Sequence, residues 1–227
     1  MARVVRRAAV VLVALCARPS GAQEAGGSLF ERLNLDRLKL TALGVSAGRV
    51  TPSQVVATQA YSIHADYGEI VPDWRMYFTA TYWGSHFSDK TMRTFRDSLR
   101  KVINDPSGDD TLDVGRITMS DIALTAEGRF FPSRLRVGPV RPYLGLGIGA
   151  HVLNAEGKAI SGTFAERALD NITAGVAGLG GVDVVLFRRV GLGVQGRFDL
   201  LSGSRFASLR GVGTYYLDRL PKPRRAR

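Results

Sequence analysis

The segment Arg-Pro-Tyr-Leu-Gly-Leu-Gly-Ile-Gly-Ala-His-Val, running from Arg141 to Val152, constrains the fold more than any other part of the chain. Apolar residues take every second position: Leu144, Leu146, Ile148, Ala150 and Val152. Tyr143, Gly145, Gly147, Gly149 and His151 stand between them. Side chains alternate faces along a strand, so one face is oily and the other nearly bare. A soluble sheet would put charged or hydroxyl side chains on the face turned away from its core. A face of glycine instead suits the inside of a narrow barrel, and the oily face must then point outward, into lipid.

The N-terminus agrees with export. Arg3, Arg6 and Arg7 form a positive region, Ala8 to Ala17 an apolar run, and Ser20 and Ala22 supply small residues before a cut at Gln23. This is the anatomy of a secretory signal peptide over residues 1–22, and its apolar run is too short to span a bilayer as a helix. Leu15 before Cys16 argues against a lipoprotein signal. Cleavage removes the only cysteine, so the mature chain forms no internal disulfide. No run of 18 or more apolar residues follows, so a membrane protein of this sequence has to be a closed barrel. The formal charge of +11 falls to +7 without the signal's four arginines. Arg219, Lys222, Arg224, Arg225 and Arg227 crowd the end, so the basic balance belongs largely to a tail and not to a nucleic-acid surface.

Turn signals divide the rest into strand-like segments near 37–48, 54–67, 74–86, 115–131, 141–154, 171–187, 190–201 and 206–217. Their length suits tilted strands crossing a hydrocarbon layer. Alternation is clear in the second half. Ile172, Ala174, Val176, Val182 and Val184 oppose Thr173, Gly175, Ala177, Gly181 and Asp183. Leu192, Val194 and Phe198 oppose Gly193, Gln195, Arg197 and Asp199. Ile122, Leu124 and Ala126 oppose Ala123, Thr125, Glu127 and Arg129, but Ile117 and Met119 break that parity, which predicts a β-bulge near Ser120. The first two segments alternate poorly. A periplasmic start places connections 49–53, 87–114, 155–170 and 202–205 outside and 68–73, 132–140 and 188–189 inside, so both long ones share the external side. Trp74, Phe130, Phe131, Tyr143, Phe187, Tyr215 and Tyr216 at one rim, and Tyr82, Trp83, Phe87 and Phe206 at the other, predict two aromatic girdles at the lipid–water boundaries.

The run Tyr143-Leu-Gly-Leu-Gly-Ile-Gly, then Ala174-Gly-Val-Ala-Gly-Leu-Gly-Gly-Val-Asp183 and Gly191-Leu-Gly-Val-Gln-Gly-Arg-Phe-Asp199, resembles the small outer-membrane β-barrel protein family, eight-stranded barrels of the OmpA and OmpX kind. The resemblance covers residues 115–217 best and implies architecture more than activity. It departs from the family at the C-terminus. Members commonly finish on an aromatic residue read by the assembly machinery, whereas here the last strand ends near Tyr215-Tyr216-Leu217 and ten residues follow.

The inward face collects Glu127, Arg129, Asp183, Arg197, Asp199 and Arg210. An eight-stranded interior is just wide enough for side chains to fill, and charges there must pair, which predicts a salt-bridged plug; a narrow gated pore is the functional alternative. Ser88 as N-cap followed by Met92, Phe95, Leu99 and Val102 predicts a short amphipathic helix in the 87–114 loop, set on the barrel mouth or on lipid. Ser85 and His86 are the best seed for an outer-membrane lipid-modifying site, yet adjacent strand residues face opposite ways and no Gly-x-Ser-x-Gly elbow occurs. His64 and His151 fall on inward or rim positions. The carboxylates after Asn104 do not match an EF-hand loop.

The expectation is an all-β, eight-stranded antiparallel up-and-down transmembrane β-barrel, 37–217, with a short helix in one external loop. Residues 1–22 form the signal, 23–36 a periplasmic segment and 218–227 a basic tail. The role is structural or interactive in a bacterial outer membrane; no enzyme activity, catalytic residue, cofactor or metal is expected. Partners are outer-membrane lipid and lipopolysaccharide, the barrel assembly machinery and an envelope component for the basic tail, not nucleic acid. A soluble lipocalin-like carrier of a hydrophobic ligand is the alternative, and it requires the opposite facing.

Overall fold

Eight strands close on themselves in chain order, each antiparallel to both neighbours. They are β1 (Ala42–Pro52), β2 (Thr58–Val71), β3 (Trp74–His86), β4 (Thr118–Phe130), β5 (Val140–Glu156), β6 (Asn171–Leu186), β7 (Val190–Leu201) and β8 (Ser204–Tyr216). One helix, α1 (Asp89–Ile103), lies between β3 and β4. The structure is a computed structural model and describes residues 38–103, 115–157 and 171–218. The expected signal peptide, the 23–36 segment and nearly all of the basic tail lie outside the described residues.

Closure is made by β1 against β8, in register from Ala42 opposite Tyr216 to Pro52 opposite Phe206. A closed sheet leaves no strand edge with unpaired backbone groups, the condition for a sheet surrounded by hydrocarbon. Both long connections, 87–117 and 157–170, leave from the same end, here called external; the opposite end has only 72–73, 131–139 and 187–189. Among the described residues no helix is long and apolar enough to cross a membrane, so the strands alone are candidates for that role.

The facing of the strands decides between lipid and a soluble carrier. Leu144 and Leu146 are 68% and 70% exposed, and Leu192 and Val194 52% and 55%. Their alternates Tyr143, Gly145, Gly147, Gly193, Gln195 and Arg197 turn inward or are half-covered. An oily exterior around an inner wall that is polar or glycine-lined along β5 and β7 is the reverse of a lipocalin, and the soluble-carrier alternative is set aside on this observation.

The glycines of β5 show how tight the lumen is. A Cβ on Gly147 would lie 2.9 Å from Thr125 Cγ2 and 3.1 Å from Glu127 Cγ, so the missing side chain makes room for a buried glutamate. At the end of β2 opposite the external one, Gly68 takes φ +88° where the β2–β3 register slips between Asp66 and Glu69. Its amide N–H donates to Asp66 Oδ1 at 2.8 Å, and any other residue there would be strained.

Three expectations need correction. β1 and β2 sit about four residues later than the segments 37–48 and 54–67. They do alternate, but Val50 and Ala60 face inward while Arg49 and Gln59 face out, which blurs the apolar–polar contrast. β4 carries no bulge at Ser120, because its pairing with β3 runs unbroken from Trp74 opposite Phe130 to His86 opposite Thr118. Ile117 and Met119 keep the inward parity of Asp121 and Ala123; what changes is the lumen, which turns apolar at that height. The girdles are also thinner than expected. Tyr82, Phe187 and Tyr215 are exposed and Trp74 packs against Phe130 on the outer wall, but Trp83, Phe87 and Phe206 at one end and Phe131, Tyr143 and Tyr216 at the other are buried.

Candidate functional site

The lumen is filled at successive heights by side chains of different chemistry. At the external end Val50, Val55, Trp83, Ile117, Met119 and Phe206 form the centre of an apolar plug. The Trp83 and Phe206 rings meet edge-on at 5.1 Å, a favourable aromatic geometry. The first half of helix α1 packs against this plug. Ser88 Oγ accepts the Thr91 amide at 3.3 Å, the N-cap bond that starts a helix after a strand. The apolar spacing then brings Met92 and Phe95 against the plug. Leu99 and Val102 lie in the same helix, with side chains outside the described set.

Beneath the plug, Asp121 Oδ2 accepts the Trp83 indole N–H at 3.2 Å and lies 3.0 Å from His151 Nδ1. Asp121 and His151 are both buried. Asp121 Oδ1 has no hydrogen-bond partner among the described residues. Trp83, Asp121, His151 and Arg210 border a small cavity of about 10 Å³, room for roughly one water molecule.

The ionic layer comes next. Glu127 lies between two arginines: Arg129 Nη2 donates to its Oε2 at 2.6 Å, and Arg197 Nη1 donates to its Oε1. Arg197 also grips Asp199, with Nε 2.9 Å from Oδ1 and 3.0 Å from Oδ2, and Nη2 reaches Thr125 Oγ1 at 3.2 Å. Glu127, Arg129, Arg197 and Asp199 therefore form one chain of two anions and two cations, all buried. Such pairs hold only when the geometry satisfies each charge, since an ion left alone in this interior costs several kcal/mol. Arg129 is stacked as well as paired, its guanidinium 4.0 Å from the centre of the Tyr77 ring.

Arg210 and Asp183 stand apart from that chain. Arg210 donates to hydroxyls, to Ser62 Oγ at 2.6 Å, Ser208 Oγ at 3.1 Å and Thr81 Oγ1 at 3.3 Å. Asp183 is buried but makes no salt bridge with the described residues. Tyr77, Phe131, Tyr143 and Leu179 form a second apolar cluster at the end opposite the external one. Gln195 Nε2 donates to the Tyr143 hydroxyl at 3.2 Å. Below it Asp66, fully buried, is held by Arg75 at 2.9 Å.

No family model matches this chain, and no curated protein matches it in sequence. Its shape does match solved structures. Neisserial surface protein A aligns with a TM-score of 0.51 and 16% identity over 77% of this chain and 95% of its own. This is the fold of a small outer-membrane barrel. OprG from Pseudomonas aeruginosa follows at 0.48 and 11% identity, over 81% of this chain and 98% of its own. Ail of Yersinia pestis follows at 0.43 and 12%, over 78% and 98%. The barrel thus resembles small outer-membrane barrel proteins in architecture, and an outer-membrane location agrees with it.

Two groups escaped the sequence. The Asp66–Arg75 bridge depends on the slip at Gly68, which no pattern announced. The Trp83–Asp121–His151 cluster needed Trp83 to face inward, whereas its place at a strand end suggested a girdle. Ser85 and His86 do not cooperate: Ser85 Oγ donates to the Val56 carbonyl at 2.6 Å, and no serine hydroxyl hydrogen-bonds to a histidine ring among the described residues. Those residues also contain no cluster of three or more side chains of the metal-ligating kinds.

Proposed function

We propose that this protein is a closed-lumen outer-membrane barrel that works through its outer wall and external loops, in a structural or interaction role. The observation that carries this is the filling of the lumen: an apolar plug under α1, a balanced ionic chain and an aromatic periplasmic cluster lie one below another. A barrel filled in this way is built as a solid post, and Glu127, Arg129, Arg197 and Asp199 act as internal cross-braces. Arg210, through its hydroxyl partners, and Asp183 belong to the same inner wall. The surface offered to other molecules is then the lipid-facing wall and the loops 87–114 and 155–170.

In this account residues 1–22 direct export and the barrel assembly machinery inserts the strands, reading the final strand from within since Tyr215 and Tyr216 precede a tail. The basic tail, 218–227, faces the periplasm and contacts an anionic envelope component. Outer-membrane lipid, including lipopolysaccharide, covers the apolar wall.

Reconstitution in planar bilayers tests the closed lumen. The account predicts no ion-conducting steps at moderate voltage from the folded, heat-modifiable protein. Steady conductance would favour the gated pore, with Arg197 and Glu127 lining it.

A further inference from the structure

The outer wall of β3, β4 and β5 changes character at its external end. Tyr82, Ile122 and Val152 stand side by side across the three strands, and all three are exposed and apolar-bodied. The next outward row is Gly84, Ser120 and Asn154, and the one above it His86, Thr118 and Glu156. A lipid-facing wall therefore gives way, within two residues per strand, to hydroxyl, amide, imidazole and carboxylate groups. These rows do not form a flat band. With Arg116 they border an open hollow of about 470 Å³ on the outside of the barrel.

Glycine at position 84 keeps part of the hollow's floor bare. A Cβ there would meet the Tyr82 hydroxyl at 3.3 Å and Ser120 Cβ at 3.8 Å, so any larger side chain would grow into the space. Glu156 is oriented by Asn154, whose Nδ2 donates to Oε1 at 3.0 Å. Neither the His86 ring nor the Ser120 hydroxyl hydrogen-bonds to another described residue.

The geometry points to a binding site for the phosphorylated sugar headgroup of an outer-leaflet glycolipid, a partner more specific than the general lipid contact of the proposed function, on which this inference rests. The height of the hollow fits: acyl chains lying on Tyr82, Ile122 and Val152 bring their headgroup to it. The chemistry fits a sugar phosphate better than a simple phosphodiester. Arg116 and His86 offer donors to phosphate, while the Glu156 carboxylate accepts only, repels a bare anion and suits sugar hydroxyls. The exposed Tyr82 ring offers a flat apolar surface for a pyranose face.

The test uses the full mature chain, folded in mild detergent and mixed separately with a bis-phosphorylated acylated diglucosamine lipid, its dephosphorylated form and phosphatidylglycerol. Bound lipid is counted by native mass spectrometry. The wild type should retain the phosphorylated glycolipid about tenfold over either alternative, a difference of about 1.4 kcal/mol. Arg116→Ala should lower that retention about fivefold, as loss of a charge-assisted phosphate contact does; Gly84→Val, which crowds the floor beside Tyr82 and Ser120, should lower it severalfold too, while Arg49→Ala on the outer face of β1 should not. Equal retention in all variants, or preference for phosphatidylglycerol, overturns the site. Resistance to urea extraction from membranes and heat-modifiable mobility are read first on each protein. Release by urea would sink the outer-membrane reading itself, whereas a retained, folded barrel without lipid preference sinks only the headgroup site.

Discussion

Two levels of the lumen, its external end and its middle, are filled by opposite means. The external end is packed with Trp83, Ile117, Met119 and Phe206, and the middle is held by Glu127 between Arg129 and Arg197. Both leave little room for water, but they fail differently. Removing a side chain from the plug leaves a cavity, whose cost is the lost contacts. Removing one ion from the middle leaves its partners charged, buried and unanswered. A plug tolerates imperfection by degrees, while an ionic chain is sound only as a whole.

The largest effect should come from Glu127→Ala. It strands Arg129 and leaves Arg197 with Asp199 as its remaining anion, and truncating one member of a buried ion pair costs about 3–5 kcal/mol. Urea unfolding followed by gel mobility should show the midpoint fall sharply; a change under about 1 kcal/mol would mean the charges are screened by water, as at a surface. Ile117→Ala, fully buried in the plug, should cost about 2–4 kcal/mol as a cavity. In combination the two changes should add, since they occupy separate layers; strong coupling would mean plug and ionic chain act as one unit. Gly147→Val forces a side chain toward Glu127 and Thr125 and should cost about 1–3 kcal/mol by overpacking, measured in the same unfolding series. Tyr143→Phe removes only the acceptor for Gln195 and should cost about 1 kcal/mol.

The same contrast explains what could be read in the sequence. Where the lumen is polar or glycine-lined, as along β5 and β7, apolar and polar residues alternate cleanly and the facing of each strand is legible. Where the lumen is apolar, inward and outward residues look alike. Ile117 and Met119 imitated a bulge for that reason, and Trp83 and Phe206 imitated a lipid-facing girdle. The helix was legible because Ser88 and the spacing of Met92 and Phe95 are local signals. Pairing is not local: nothing in the sequence says that Arg197 reaches across to Glu127 on β4 while Arg210 settles for the hydroxyls of Ser62 and Thr81. Only the register of closed strands brings such groups together. The polar hollow beside Gly84 was invisible for the same reason, being made of single residues from three strands.

Oily side chains of the outer wall meet lipid, while the lumen is filled by its own side chains. Nitroxide labels at Leu146→Cys and Leu192→Cys, in barrels reconstituted into bilayers, test it directly through collision with oxygen, which concentrates in hydrocarbon, and with a water-soluble nickel complex. The account predicts high oxygen and low nickel accessibility at both positions. High nickel accessibility, or shielding from both reagents, would contradict it.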